Sequence, residues 1–178
     1  MQSLIFSIVR NDYATRSAKM DNTKLIKKTL ELFPYVDRPS DELMTIHGPT
    51  CSHCNFLLEQ LEDFREQQVS KVGSRVFIGE LSLLSQQGYR WMLPSYLLSI
   101  LSEDPDEELA EYFIYSFSIK TKGNEIQDYD RQTELFKEKE LNFLIEVIEF
   151  TRTYMAPIYY EDLDKAIIEI NRIINKIA

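Results

Sequence analysis

Leu163, Ile167, Ile170, Ile174 and Ile177 step along the chain by four, three, four and three residues. That spacing marks one face of an α-helix, and an apolar stripe of this length has to be covered by something. Residues 160–178 are therefore expected to form a C-terminal amphipathic helix. The plainer expectation is that it closes this chain's own core. The alternative is a homodimer seam through the same residues.

The helical period recurs upstream. Asn22 offers an N-cap, Leu25, Ile26, Leu30 and Phe33 follow at helical spacing, and Pro34 ends the run. The segment PYVDRPSDELM, with its two prolines, is expected to be a connector. Cys54, Leu57, Leu58, Leu61 and Phe64 share one face of a second helix, with Thr50 or Ser52 supplying the cap oxygen. Ser85 is placed to cap a run from Gln86 to Leu101. Gly88 and Pro94 are costly inside that run, so Pro94 either kinks one helix or starts another. Ser102, Asp104 and Pro105 mark a turn. Asp106, Glu107 and Glu108 suit the positive end of the next helix, along which Leu109, Phe113 and Phe117 step by four.

A long helix is expected from Thr133 to Met155, stopped by Pro157. VFIGELSLL is assigned to a short helix, and ELMTIH is the one strand candidate. Asn11–Met20, Val69–Ser74 and Ser118–Asp130 have loop composition. Ten Phe and ten Tyr argue for a packed core, and five Gly with six Pro leave little material for tight turns. The expectation is an all-α fold: a single compact helical domain over 1–178, with a kinked central helix and the last helix laid across it. Residues 1–20 are poorly patterned.

A net charge of −9 repels a polyanion, so nucleic acid is not an expected partner. Lys24, Lys27 and Lys28 fit a solvated helix face. No apolar run approaches the ~20 residues of a membrane helix. The richest stretch, Trp91–Leu101, is too short and contains Pro94. MQSLIFSIVRND lacks the basic lead and cleavage pattern of a signal peptide. A cytoplasmic, reducing setting is expected, in which a purely structural disulfide is disfavoured.

The segment His47–Cys54, HGPTCSHC, holds both cysteines and both histidines of the chain. Four readings compete. Cys-x-x-Cys is half of a tetrahedral zinc site, and His47 and His53 are candidate nitrogen ligands alongside Cys51 and Cys54. Such a site asks for help from Asp41, Glu42 or a second subunit, because His53 points away from the line between the cysteines. The same pair at a helix start is also a redox arrangement, with Cys51 as thiolate and Cys54 as resolving thiol. That chemistry is usually framed by a β-sheet, which this chain does not promise. Nucleophilic catalysis by a cysteine with His47 or His53 is a third reading. Finally, Cys54 is a small core residue, Cys51 a cap, and the histidines lie on the surface.

One further stretch is distinctive: Leu83-Leu84-Ser85-x-x-Gly88-Tyr89-Arg90-Trp91-x-Leu93-Pro94-x-Tyr96-Leu97. Together with the upstream His47 and Cys51-x-x-Cys54, it resembles an uncharacterised family of small bacterial domains. The likeness spans the middle of the chain and excludes the isoleucine helix. The resemblance implies no activity and no catalytic residue. On the residues alone, Arg90 between Tyr89 and Trp91 is a second candidate site, a ligand or partner surface suited to a carboxylate or an aromatic face. The plainer version pairs Arg90 with an internal acidic group and sends Trp91, Leu93, Tyr96 and Leu97 to the core.

There is no phosphate loop, no dinucleotide glycine pattern and no spread carboxylate–histidine set. The functional expectation is a non-enzymatic cytoplasmic interaction protein with an unidentified protein partner and a zinc or thiol site at Cys51 and Cys54. The alternative is a thiol–disulfide oxidoreductase using CSHC.

Overall fold

The computed structural model describes residues 22–64, 83–118 and 136–177. The loops expected at Asn11–Met20 and Val69–Ser74, most of VFIGELSLL, nearly all of Ser118–Asp130 and the proposed helix start at Thr133 lie outside the described residues. Seven α-helices carry what is described. They are α1 over 22–32, α2 Asp41–Met44, α3 Ser52–Leu61, α4 Gln86–Ile100, α5 Glu107–Ser118, α6 Glu138–Thr151 and α7 Tyr160–Ile177. Short 3-10 turns follow α3 at Glu62–Phe64 and precede α7 at Pro157–Tyr159. Among the described residues no strand forms, so the all-α expectation holds. ELMTIH is instead a turn of helix, α2, followed by an isolated antiparallel bridge between Thr45 and Leu84.

α4 is the axis of the core. Trp91 to Leu97 are seven consecutive buried residues, and at 3.6 residues per turn such a run covers every side of the helix. Pro94 does not start a second helix; α4 runs through it. Ser85 caps α4, its hydroxyl accepting from the backbone N–H groups of Gln87 and Gly88, both at 3.1 Å. α5 is capped by Asp106, whose carboxylate accepts from Leu109 N–H at 3.2 Å. Leu109, Phe113 and Phe117 are buried at the expected step of four.

α6 starts later and ends earlier than its apolar pattern promises. Phe136 and Lys137 are not helical, and Lys137 is the N-cap residue. The Glu140 carboxylate turns back to accept Lys137 N–H at 2.8 Å, which fixes the helix start there. At the far end the helix stops at Thr151, six residues before Pro157. Tyr154 N–H and Met155 N–H both bond the Thr151 carbonyl, and the Tyr154 hydroxyl reaches the Ile100 carbonyl at 3.2 Å.

α7 packs chiefly on α5 and α6 rather than across α4. Its buried residues are Leu163, Ala166, Glu169, Ile170 and Ile173, with Ile167 and Ile174 half-buried and Ile177 exposed. The stripe is thus rotated by one position from the sequence expectation. A helix seated between two neighbours buries a wider arc than one facing a single partner. The same rotation occurs in α1, where Thr29 is buried and Leu30 is exposed. Thr29 can face inward because its hydroxyl bonds the Leu25 carbonyl of its own helix at 2.9 Å. Lys28 is held rather than freely solvated: it pairs with Glu146 at 2.6 Å and lies over the Phe143 ring. One continuous core includes Phe33 of the first segment and Ile173 of the last helix.

Candidate functional site

The chain enters the HGPTCSHC segment from α2. Ile46 N–H bonds the Leu83 carbonyl at 2.9 Å, which ties the entry to the residues preceding α4. Gly48 then adopts φ +64°, a left-handed conformation that side chains resist. Thr50 Oγ1 bonds the His47 carbonyl and Cys51 N–H bonds the Gly48 carbonyl, both at 3.4 Å. The result is a tight turn that delivers Cys51 in an extended conformation, φ −83° and ψ 127°, at the N-cap position of α3. Neither Thr50 nor Ser52 takes that position. The Cys51 carbonyl accepts the first helical bond, from Asn55 N–H at 2.8 Å.

Cys54 lies one turn on, fully buried beside Leu57, Leu58 and Leu61 on the inner face of α3. Cys51 is half-buried, and both thiols are free. No cap hydrogen bond is closed by the neutral Cys51 thiol. Its thiolate is nevertheless favoured. The Cys54 backbone N–H lowers its pKa, partial desolvation opposes this, and the Cys54 thiol and the His53 backbone N–H lower it further. The net result is a thiol held below its ordinary value. The groups responsible are amides of the first helical turn and the second thiol; neither imidazole contributes.

His47 and His53 are both exposed. Among the described residues, no three His, Cys, Asp or Glu side chains gather as a metal set. Asp41, a suggested extra ligand, is paired with Arg38 at 3.0 Å, and Glu42 is exposed. Among the described residues, His47, Cys51, His53 and Cys54 therefore do not gather as a set of three or four ligands.

The second candidate site is an internal one. Arg90 meets Glu140 with two contacts, Nη2 to Oε1 at 2.8 Å and Nη1 to Oε2 at 3.4 Å. Its guanidinium also lies over the rings of Phe33 and Phe136, 5.8 and 6.0 Å from their centres. The Glu140 side chain is 3 % exposed. Burial pushes its carboxyl up, but hydrogen bonds from Arg90 and from Lys137 N–H, with the charges of both residues, outweigh that and hold it below the usual carboxylate range. Tyr89 and Trp91 are buried. Burial pushes the Tyr89 pKa up to about 12, with Ser116 opposing part of the rise. Tyr89, Arg90 and Trp91 thus do not share an open face, and the internal acidic partner is Glu140. Fifty residues separate Arg90 from Glu140, and the only local hint of its role is an acid in the first turn of α6.

Among the described residues, no helix is long and apolar enough to cross a membrane. Comparisons with protein-family models, with curated proteins and with solved structures return no match.

Proposed function

We propose that this chain is a cytoplasmic interaction protein that engages a protein partner by thiol–disulfide exchange at Cys51 and Cys54. One juxtaposition carries the reading: a partly exposed sulfur at the N-cap of α3, with a buried sulfur beside it one turn on. The Cys51 thiolate attacks one sulfur of a partner disulfide. The other partner sulfur leaves as thiolate and takes a proton from solvent. Cys54, once deprotonated, attacks the Cys51 sulfur of the mixed disulfide and displaces the second partner thiolate. The partner disulfide is reduced to two thiols, and Cys51 and Cys54 are oxidised to one disulfide.

The helical setting differs from the sheet-bound scaffold that usually holds such a pair, so the chemistry rests on the local helix start alone. A structural zinc is the weaker reading, since no three ligating side chains gather among the described residues. Membership of the small bacterial family with the Leu-Ser-x-x-Gly-aromatic-Arg segment belongs to the same proposal.

The test is the pH profile of Cys51 alkylation by iodoacetamide, read by peptide mass, together with equilibration of the reduced protein against glutathione disulfide. A midpoint below the free-thiol value of about 8.5 and a Cys51–Cys54 disulfide at equilibrium are expected. A free-thiol midpoint, or a Cys51–glutathione adduct that never resolves, would sink the proposal.

A further inference from the structure

The Ser-x-x-Gly stretch at the start of α4 does more than cap that helix. Ser85 N–H donates to the Met44 carbonyl at 2.9 Å, and two residues on the other side Ile46 N–H donates to the Leu83 carbonyl at 2.9 Å. The Ser85 hydroxyl donates to the Leu43 carbonyl while accepting from Gln87 N–H and Gly88 N–H. One hydroxyl thus serves α2 and α4 together. Gly88 permits the approach: a Cβ there would stand 2.1 Å from the Met44 carbonyl oxygen, a backbone atom with no room to retreat. These contacts clasp α2 to α4, and the chain leaves the clasp at Ile46 and reaches Cys51 through the single turn at Gly48.

We propose that Ser85 and Gly88 are positioning residues for the Cys51–Cys54 pair, fixing the direction in which the chain enters the N-cap of α3. The proposal rests on the thiol reading above. The body of α3 is anchored separately, by Cys54, Leu57, Leu58 and Leu61 in the core. Loosening the clasp therefore frees the entry turn and leaves the helix in place. Cys51 then loses its fixed N-cap position at the start of α3, while Cys54 stays buried. The two distinctive stretches of the sequence become one device, the second holding the first.

The experiment compares the Cys51 alkylation profile in the wild-type chain with Ser85→Ala, Ser85→Thr and Asp106→Ala. Ser85→Thr keeps the hydroxyl. Asp106→Ala removes a helix cap of the same kind, on α5, away from the clasp. Ser85→Ala is expected to raise the Cys51 midpoint, reducing the alkylation rate at neutral pH about threefold, equivalent to half a pKa unit. Ser85→Thr and Asp106→Ala are expected to keep the wild-type midpoint. Gly88→Ala, if it folds, is expected to move the midpoint in the same direction as Ser85→Ala. A lowered wild-type midpoint that Ser85→Ala leaves unchanged overturns the positioning role and spares the thiol function. An equal shift in Asp106→Ala also overturns it, as a general effect of lost stability. A free-thiol midpoint in the wild-type chain overturns both.

Discussion

Two corners of this molecule bring reactive side chains together, and they do so to opposite ends. At the Arg90–Glu140 pair both carboxylate oxygens and both terminal guanidinium nitrogens are engaged. The carboxylate takes two contacts from the guanidinium and one from Lys137 N–H, and two aromatic rings cover the cation. At the Cys51–Cys54 pair no side-chain cap bond is closed: Cys51 is half-buried at the N-cap of α3 and Cys54 lies buried one turn on. The first arrangement holds helices together, whereas the second leaves chemistry available. An arginine between two aromatic residues is the more conspicuous motif in the sequence, yet it is the one consumed by the fold.

The largest expected effect tests the structural corner. Glu140→Ala removes the buried partner of Arg90 and the cap of α6 at once. It is expected to cost about 3–5 kcal/mol in urea unfolding, as breaking a buried ion pair does. A loss under 1 kcal/mol would show that the pair is dispensable. Under folding conditions the surviving native fraction should keep the wild-type Cys51 alkylation midpoint, which separates the two corners.

A middle-sized effect tests the asymmetry within the thiol pair. Cys54→Ala empties a fully buried position and is expected to cost about 1 kcal/mol. Cys51→Ala removes a half-exposed group and should stay within about 0.5 kcal/mol. Equal losses from both would mean that the sulfurs are equivalent packing atoms, and the contrast would collapse.

The smallest effect is a pH dependence. Glu140 has a folded pKa below its unfolded one, so its contribution is present above the ordinary carboxyl value and is lost as pH falls through the lowered folded value. The stability gap between the wild-type chain and Glu140→Gln should therefore narrow on acidification. A gap that widens in acid would place the carboxyl above its usual range and reverse the account of the pair.

Much of the helical frame was legible, because period and caps are local. Ser85 as the cap of α4, the step of four in α5 and the amphipathic last helix all follow from residues within a turn or two of one another. What failed was anything set by a distant neighbour. Which arc of α7 is buried depends on its having two partners, so the face turned from Ile167 and Ile174 toward Ala166 and Ile173. α6 was extended too far because its apolar pattern continues past Thr151, while its actual start is decided by Glu140 folding back on Lys137. At the thiol site the helix start was readable from Cys-x-x-Cys after a proline. The clasp was not: nothing local in Leu43–Met44 announces that Ser85 and Gly88 will sit against it.

The full enclosure of α4 has a consequence for dissection of the chain. Its packing partners lie both before and after it in the chain, α2 on one side and α5 on the other. Neither half can shelter that helix alone. A protease cut between the segments should yield fragments that stay associated while native and that, once separated, do not fold as autonomous pieces.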